Sequence, residues 1–117
     1  MKEELSKIEI ITNMTKFTKL QKELARLGVR GMTVTQVLGC GIQKGTREFE
    51  LEEEIEDFML LPKQQISLVV ETKDVREIID TVKQVLYTGH IGDGKIFVYS
   101  LSNVVKVRTG DEGLEAL

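Results

Sequence analysis

The sequence predicts an α+β fold in which two β-α-β halves in tandem place two helices on one face of an antiparallel sheet. Three observations lead to this prediction. Short runs rich in β-branched residues alternate with two longer segments whose apolar residues recur at helical spacing. The chain of 117 residues is long enough for one domain with a single modest core. Its single cysteine, Cys40, leaves no internal disulfide framework and suits a reducing cytoplasm.

The first half of the chain contains a strand, a helix and a second strand. Residues 7–14 (KIEIITNM) are rich in isoleucine and predict the first strand. The leucines of residues 18–28 (TKLQKELARLG) recur at helical spacing, with Thr18 opening a capping box and Gly28 as a C-terminal stop. Residues 32–39 (MTVTQVLG) alternate between apolar and threonine positions, which predicts the second strand.

The second half repeats this order. Residues 65–71 (QISLVVE) predict a third strand, and Asp74 can cap a helix whose apolar stripe ends at Gly89. Residues 95–100 (KIFVYS) predict a fourth strand, and residues 104–108 (VVKVR) a short fifth. The order indicates a ferredoxin-like βαββαβ sandwich whose helices leave one sheet face bare. A chain of this size is expected to bury that face against further copies of itself.

Composition excludes several classes of function. The formal net charge of −3 argues against a basic nucleic-acid surface. No apolar run approaches the roughly 20 residues that span a bilayer, and nothing resembles a signal peptide. One histidine and one cysteine cannot build a Cys/His metal site, and no G-x-S-x-G motif indicates a catalytic nucleophile. We therefore expect a soluble cytoplasmic protein that is not an enzyme, does not bind nucleic acid and does not insert into a membrane.

A glycine-rich stretch, TGHIGDGKIFVYS at 88–100, is similar to a phosphate-binding P-loop. It has the G-x-x-x-x-G-K spacing, but Ile96 stands where a P-loop needs Ser or Thr for Mg²⁺. It also follows a predicted helix and precedes a strand, which is the reverse of P-loop order. Backbone N–H groups of such a loop can still hold an anion beside Lys95, although the residues alone slightly favour a turn with a solvated lysine.

A long connection, residues 39–63, joins the second and third predicted strands. Connections of this length in compact domains are usually functional or disordered. It opens with three glycines (GCGIQKG) and continues as an acidic run with interleaved apolar residues. A solvated acidic loop would not carry such side chains, so we expect a partner-binding arm or, alternatively, packing within an oligomer. The candidate partner-binding residues are Phe49, Leu51, Ile55 and Phe58.

Three blocks of sequence together resemble the PII family of nitrogen-regulatory signal proteins. They are GMTVTQVLGCGIQKG at 31–45, TGHIGDGKIFVYSL at 88–101 and VKVRTGDEGLEAL at 105–117, and they are most similar to the PII proteins of Gram-positive bacteria. The resemblance implies a homotrimer of ferredoxin-like subunits, each a single domain over 1–117. It also implies that residues 39–63 are the family's T-loop and residues 104–117 its C-terminal segment.

The resemblance further implies that ATP or ADP binds competitively in clefts between subunits. The glycine loop would wrap the phosphates, and two basic residues near the C-terminus would reach them across the subunit boundary. The implied nucleotide-binding residues are Thr33, Gly39, Gly41, Val69, Gly92, Asp93, Gly94, Lys95, Lys106 and Arg108.

The family's second ligand is 2-oxoglutarate, which chelates Mg²⁺ together with ATP at the base of the T-loop. Gln43 matches the residue that completes the Mg²⁺ coordination, and Lys63 matches the lysine that pairs with the distal carboxylate. Lys44 and Gly45 would supply neighbouring backbone groups. Ordinary loop polarity is the alternative explanation for Gln43 and Lys63.

The chain departs from the family pattern at several positions. Ile42 replaces an arginine, His90 a basic residue and Ser67 an acidic one. The T-loop lacks the tyrosine that many members have uridylylated, so that modification is excluded at the usual site. It also lacks the ELYRG stretch with which many members plug an ammonium channel. A target with a basic, partly apolar surface is expected: a membrane transporter, either an ammonium channel or another nutrient transporter, or a metabolic enzyme.

The leading hypothesis is thus a non-enzymatic sensor of ATP and ADP that acts through its T-loop. The alternatives are a PII-like protein that binds a different small ligand with an adenine nucleotide, a weak ATPase, and a metal-binding trimer of similar architecture.

Overall fold

The computed structural model of the chain describes residues 4–13, 15–41 and 59–117. These residues form four strands, two α-helices and two short 3₁₀ turns. The strands are β1 (Leu5–Thr12), β2 (Thr33–Gly41), β3 (Met59–Glu71) and β4 (Lys95–Leu101), the helices are α1 (Phe17–Arg26) and α2 (Val75–Leu86), and the 3₁₀ turns are Thr72–Asp74 and Gly113–Ala116.

The strands form one sheet in the order β2-β3-β1-β4, with every neighbouring pair antiparallel. The two central strands, β3 and β1, come from different halves of the chain, so the halves interlock. At the middle of the sheet Ile8 lies opposite Leu68 on one side and Val98 on the other. This topology confirms the predicted α+β, ferredoxin-like fold.

Alternation along the strands places the core on one face of the sheet. Ile8 and Ile10 of β1 are fully buried, whereas Lys7, Glu9 and Ile11, which alternate with them, are only half-buried. The helices cover this face with their leucine and valine stripes, as predicted. The opposite face carries Phe97 and Tyr99, which are 40% and 44% exposed. Among the described residues, no helix is long and apolar enough to span a membrane.

The helix ends agree only in part with the sequence prediction. Gly28 ends α1 as predicted, because at φ +90° its N–H donates to the Ala25 carbonyl at 3.0 Å and the next N–H donates to Leu24. The capping box at Thr18 is wrong: α1 begins at Phe17, and no side chain caps it in the described residues. Asp74 does precede α2, but without a capping hydrogen bond from its side chain, and that helix ends at Leu86 rather than at Gly89.

The predicted loop 39–63 is too long at both ends. The β2–β3 ladder runs from Thr33 opposite Ser67 to Gly41 opposite Met59, so residues 39–41 and 59–63 are strand. Gly39, Gly41 and Pro62 are residues typical of loops, which is why the sequence predicted a loop in these two segments. Pro62 is tolerated because β1 reaches only as far as Gln64, which leaves that part of β3 paired on one side alone.

The fifth strand predicted at 104–108 is also wrong. In the described residues this stretch contributes one isolated bridge, between Val105 and Glu112. It then closes a turn in which Lys106 donates its N–H to the Asp111 carbonyl at 2.9 Å and accepts from the Gly110 N–H at 2.8 Å. The β-propensity of this stretch is outweighed by the turn that Gly110 and Asp111 favour.

Candidate functional site

The glycine loop, residues 88–94, connects α2 to β4 and lies against the end of β1. Three of its glycines have positive φ values: Gly89 at +85°, Gly92 at +103° and Gly94 at +113°. A Cβ at Gly94 would also collide with the carbonyl oxygen of Ile11. Only glycine fits there, because the position requires both a left-handed backbone and the absence of a side chain.

The carboxylate of Asp93 is directed back into the glycine loop. It accepts hydrogen bonds from the Thr88 hydroxyl at 2.5 Å, the Thr88 N–H at 2.7 Å and the Gly89 N–H at 3.0 Å. The hydrogen bonds from Thr88 are the main reason why the pKa of Asp93 lies below its ordinary value of 3.8. The resemblance places Asp93 among the nucleotide contacts. In the structure its carboxylate is instead hydrogen-bonded within the glycine loop.

The glycine loop is anchored to β1 by side chains that sequence reasoning did not single out. The Thr12 hydroxyl donates to the Asp93 carbonyl at 2.8 Å, and the Asn13 amide donates to the Gly92 carbonyl at 3.4 Å. Thr12 is buried at the end of its strand. No local signal could have found these residues, because their partners are about eighty residues away along the chain.

Lys63 of β3 joins the base of the β2–β3 ribbon to the glycine loop. A Cβ at Gly39 would lie 3.3 Å from the Lys63 Cγ, and a Cβ at Gly92 would lie 3.8 Å from the Lys63 Nζ. These contacts bring together Gly39, Gly92 and Lys63, which sequence analysis had proposed for two different ligands. Gly41 lies two residues further along β2, opposite Met59.

A cavity of about 300 Å³ opens where these elements meet. Lys63 and Lys95 both line it. Within the part of the chain that the structure describes, neither ammonium forms an ion pair. Two uncompensated ammonium groups beside a positive-φ glycine loop make this end of the sheet suited to an anion. The remaining lining residues are Ile11, Gly92, Gly94 and Phe97.

Four of the proposed nucleotide-binding residues, Thr33, Val69, Lys106 and Arg108, do not line this cavity. Thr33 and Val69 line a second, open cleft of about 860 Å³, next to residues of the C-terminal segment. Lys106 and Arg108 follow the far end of β4, and the strand alone spans about 20 Å at the usual rise per residue. One chain therefore does not bring all ten residues together: Thr33 and Val69 line the second cleft, and Lys106 and Arg108 follow β4. The other six, around the glycine loop and the adjoining end of β2, are Gly39, Gly41, Gly92, Asp93, Gly94 and Lys95.

The sheet face not covered by the helices has a self-contained polar cluster. Glu9 accepts hydrogen bonds from the Tyr99 hydroxyl and from the Gln65 amide, each at 2.9 Å. The Lys7 Nζ lies 4.0 Å from the same carboxylate and 5.4 Å from the centre of the Tyr99 ring. The hydrogen bond to Glu9 raises the pKa of Tyr99, because it favours the protonated phenol. Lys7 and Glu9, the charged groups of this cluster, thus already have partners.

Several predictions concern residues outside the described part of the chain. They are the ligand residues Gln43, Lys44 and Gly45 and the partner-binding residues Phe49, Leu51, Ile55 and Phe58.

A family model described as "Nitrogen regulatory protein P-II" matches residues 5–111 of the chain. The chain is 43% identical to a nitrogen regulatory PII-like protein of Bacillus subtilis over 117 residues, the full length of both. It is 40% identical to the nitrogen regulatory protein P-II of Rhodospirillum rubrum over 114 residues, which covers 97% of this chain and all of that protein.

Solved structures agree with the sequence relatives. The complex of B. subtilis GlnK with ATP has a TM-score of 0.84 at 41% identity and is matched over 100% of this chain and 99% of that one. Arabidopsis thaliana PII bound to citrate has a TM-score of 0.78 at 31% identity, with 98% and 94% coverage. Sequence and fold together show that the chain belongs to the nitrogen regulatory protein P-II family.

Proposed function

We propose that the protein is a cytoplasmic, non-enzymatic signal-transduction protein that binds ATP or ADP with its glycine loop and regulates a target protein. The observation that carries this proposal is the convergence of Lys63, Lys95 and the positive-φ glycines on one cavity. A similar protein, B. subtilis GlnK, has been solved with ATP.

The chemistry of the cavity suits a polyphosphate. Backbone N–H groups in a glycine loop can converge on an anion without a helix dipole, and two ammonium groups add positive charge. The loop is also fixed before any ligand arrives, since Gly94 leaves no space against Ile11 and the Thr12 hydroxyl holds the Asp93 carbonyl. A preformed anion site loses less conformational entropy on binding than a mobile loop would.

We further propose that the complete site forms between copies of the chain in a homotrimer. Lys106 and Arg108 lie too far from Lys95 to share its ligand within one chain, because β4 separates them. A neighbouring copy can supply them, as the resemblance implies, and we propose that it also supplies Thr33 and Val69. Burial of the open sheet face is compatible with its chemistry, since Glu9 is already hydrogen-bonded within the face.

A carboxylate ligand is a further part of this proposal. The Lys63 ammonium lies at the junction of β2, β3 and the glycine loop, where it can pair with a distal carboxylate of 2-oxoglutarate. A similar protein, A. thaliana PII, has been solved with citrate, another carboxylate. The resemblance implies that the protein ligand of Mg²⁺ is the amide oxygen of Gln43, a group that suits this ion.

The output element is the segment 42–58, which lies between β2 and β3. Its bulky apolar residues Phe49, Leu51, Ile55 and Phe58 would contact a transporter at the membrane or a metabolic enzyme. Gly39 and Lys63 stand on the two strands that lead into and out of this segment, and both lie beside the ligand cavity. Ligands that contact these residues differently would shift the segment between binding and non-binding arrangements.

Calorimetric titration tests the proposal. ATP and ADP are titrated separately into the purified protein, with and without Mg²⁺, and then with 2-oxoglutarate. We expect both nucleotides to bind, and 2-oxoglutarate to release heat only when Mg²⁺ and ATP are present. Nucleotide binding without any response to 2-oxoglutarate would leave an adenylate sensor without the carboxylate ligand. Absence of nucleotide heat would contradict the whole proposal.

Catalysis is tested in the same sample. Steady-state phosphate release from ATP is compared between the unmodified protein and Lys95→Ala. A regulator releases no more phosphate than the variant does, whereas turnover that depends on Lys95 would indicate an ATPase.

A further inference from the structure

The glycine loop is closed by one side chain, the carboxylate of Asp93. We propose that Asp93 is a positioning residue: it fixes the N–H groups of the loop for the phosphates of the nucleotide and does not itself contact the ligand. The inference rests on the proposed nucleotide-binding function. It departs from the sequence resemblance, which places Asp93 among the binding residues.

Three hydrogen bonds converge on the Asp93 carboxylate from the start of the loop. One oxygen, Oδ2, accepts from the N–H groups of Thr88 and Gly89 at 2.7 and 3.0 Å, and the other, Oδ1, accepts from the Thr88 hydroxyl at 2.5 Å. That hydroxyl in turn accepts from the His90 N–H at 3.1 Å. The two ends of the loop are thus tied together through a side chain with charge-assisted bonds.

The main chain of Asp93 ties the same point to the sheet. Its carbonyl accepts the Thr12 hydroxyl at 2.8 Å, and the next residue, Gly94, lies directly against the Ile11 carbonyl. Lys95 then begins β4 opposite Ile11. Asp93 therefore links the closed loop, the end of β1 and the first residue of β4, so loss of its side chain releases the loop while leaving β4 in place.

Charge makes a direct phosphate contact by Asp93 unfavourable. Its pKa is lowered by the hydrogen bonds from Thr88, so the group is ionised at neutral pH. A carboxylate in an anion site repels phosphate unless its own partners hold it turned away. Removing the charge alone should tighten ATP binding, whereas removing a positioning contact should weaken it. The two effects have opposite signs.

Four variants separate positioning from direct contact: Asp93→Ala, Thr88→Val, Thr88→Ser and the double variant Asp93→Ala/Thr88→Val. Thr88→Val removes only the hydroxyl that bonds Asp93, without changing charge, and Thr88→Ser restores that hydroxyl. ATP affinity is measured by calorimetry. We expect roughly tenfold weaker binding for Asp93→Ala and about threefold for Thr88→Val, as for loss of hydrogen bonds to a charged group. Thr88→Ser should match the unmodified protein.

The double variant should bind ATP no more weakly than Asp93→Ala alone, because both changes break one network. Normal ATP affinity in Thr88→Val combined with weak binding by Asp93→Ala would indicate a direct contact and overturn the inference. Tighter binding by Asp93→Ala would show that only its charge matters, which would also overturn it.

Amide hydrogen exchange in the ligand-free protein gives a readout that does not depend on nucleotide. Exchange of the Thr88 and Gly89 amides should accelerate in Asp93→Ala, while core amides such as that of Ile8 keep their protection. Failure of the unmodified protein to bind ATP would contradict the proposed function, and exchange would still show whether the loop is closed. Unprotected Thr88 and Gly89 amides in the unmodified protein would contradict the closure itself.

Discussion

Gly94 shows how a single residue sets the geometry of the candidate site. Its φ of +113° and its approach to the Ile11 carbonyl both exclude a side chain. We predict that Gly94→Ala displaces the glycine loop, lowers the free energy of unfolding by about 3 kcal/mol and weakens ATP binding. Chemical denaturation and calorimetry measure the two effects.

The matched control for that substitution is Gly28→Ala. Gly28 has a similar φ of +90°, but a Cβ there meets nothing within 4 Å. This control should cost about 1 kcal/mol, the usual cost of a left-handed alanine. Gly28 lines the second cleft, so the comparison concerns stability: equal losses of unfolding free energy in the two variants would mean that the contact with β1 adds no cost at Gly94.

Lys63 is predicted to serve the ligands rather than the fold. Its ammonium forms no ion pair within the described residues, so Lys63→Ala should leave the unfolding midpoint nearly unchanged. ATP affinity should fall about tenfold, and less at high salt, because the loss is electrostatic. Calorimetric titration with ATP at two salt concentrations measures the loss of affinity and its dependence on salt. Lys22→Ala, on the exposed side of α1, is the control, and an equal loss there would point to net charge alone.

The pKa of Asp93 predicts how the glycine loop responds to acid. A carboxyl group whose pKa is lower in the folded than in the unfolded chain stabilises the fold above the unfolded value, and this is lost as pH falls through the folded value. Since the folded pKa lies below 3.8, the loop should be unchanged near neutral pH and open only in acid. The NMR chemical shifts of the Thr88 and Gly89 amides, measured against pH, report this opening. A loop that opens between pH 6 and 8 would contradict this prediction.

At this scale the sequence located the glycine loop but not the hydrogen bonds that hold it in place. The glycines and Lys95 stand together in one motif, so they were recognisable. The bond from Thr12 to Asp93 was not, because the two residues are far apart in sequence and neither has an unusual local pattern. Proximity of this kind follows from strand order, which a single sequence does not specify locally.

Among the elements, the β2–β3 ribbon differs most from its sequence prediction. The apolar alternation that indicates a strand is strong at 65–71 and disappears towards Pro62 and Lys63. The strand continues there because β2 supplies a partner, even though β1 has ended. Pairing with a neighbour thus extended a strand where intrinsic propensity was weak. The helices were easier to predict, because each carries a periodic apolar stripe over its whole length.

The ribbon predicts how the protein tolerates loss of its output segment. Gly41 and Met59 are directly paired, so replacing residues 42–58 by Asn-Gly should close a two-residue hairpin without strain. The shortened protein should fold and still bind ATP and ADP. It should lose its target and its response to 2-oxoglutarate, since Gln43 is removed. Calorimetry and affinity capture with the intact protein as control measure these properties.

Two results would contradict that prediction. Loss of ATP binding on deletion of 42–58 would place nucleotide contacts in the segment itself. Capture of the same targets by the intact and shortened proteins would show that the segment is not the output element.

At the scale of the whole molecule, we propose two half-sites on separate parts of the sheet. The glycine loop and Lys63 form one half, and the cleft lined by Thr33 and Val69 belongs to the other, with Lys106 and Arg108 beyond β4. The face between them has exposed aromatic rings and a Glu9 carboxylate whose hydrogen bonds are satisfied. The cluster of Lys7, Glu9 and Tyr99 on this face can be buried between copies without leaving Glu9 unpaired. Closed assembly would bring one half-site of each copy to the other half-site of its neighbour.

The central claim is that each nucleotide site is built by two copies, and subunit mixing tests it most directly. Lys95→Ala damages one half-site and Arg108→Ala the other, so each variant alone should bind ATP weakly. The two variants are co-expressed with different tags, and mixed oligomers are isolated and titrated with ATP. We predict that mixed oligomers regain tight sites, because an intact loop from one copy meets an intact basic segment from another. Mixed oligomers that bind as weakly as the parent variants would show that each site lies within a single chain.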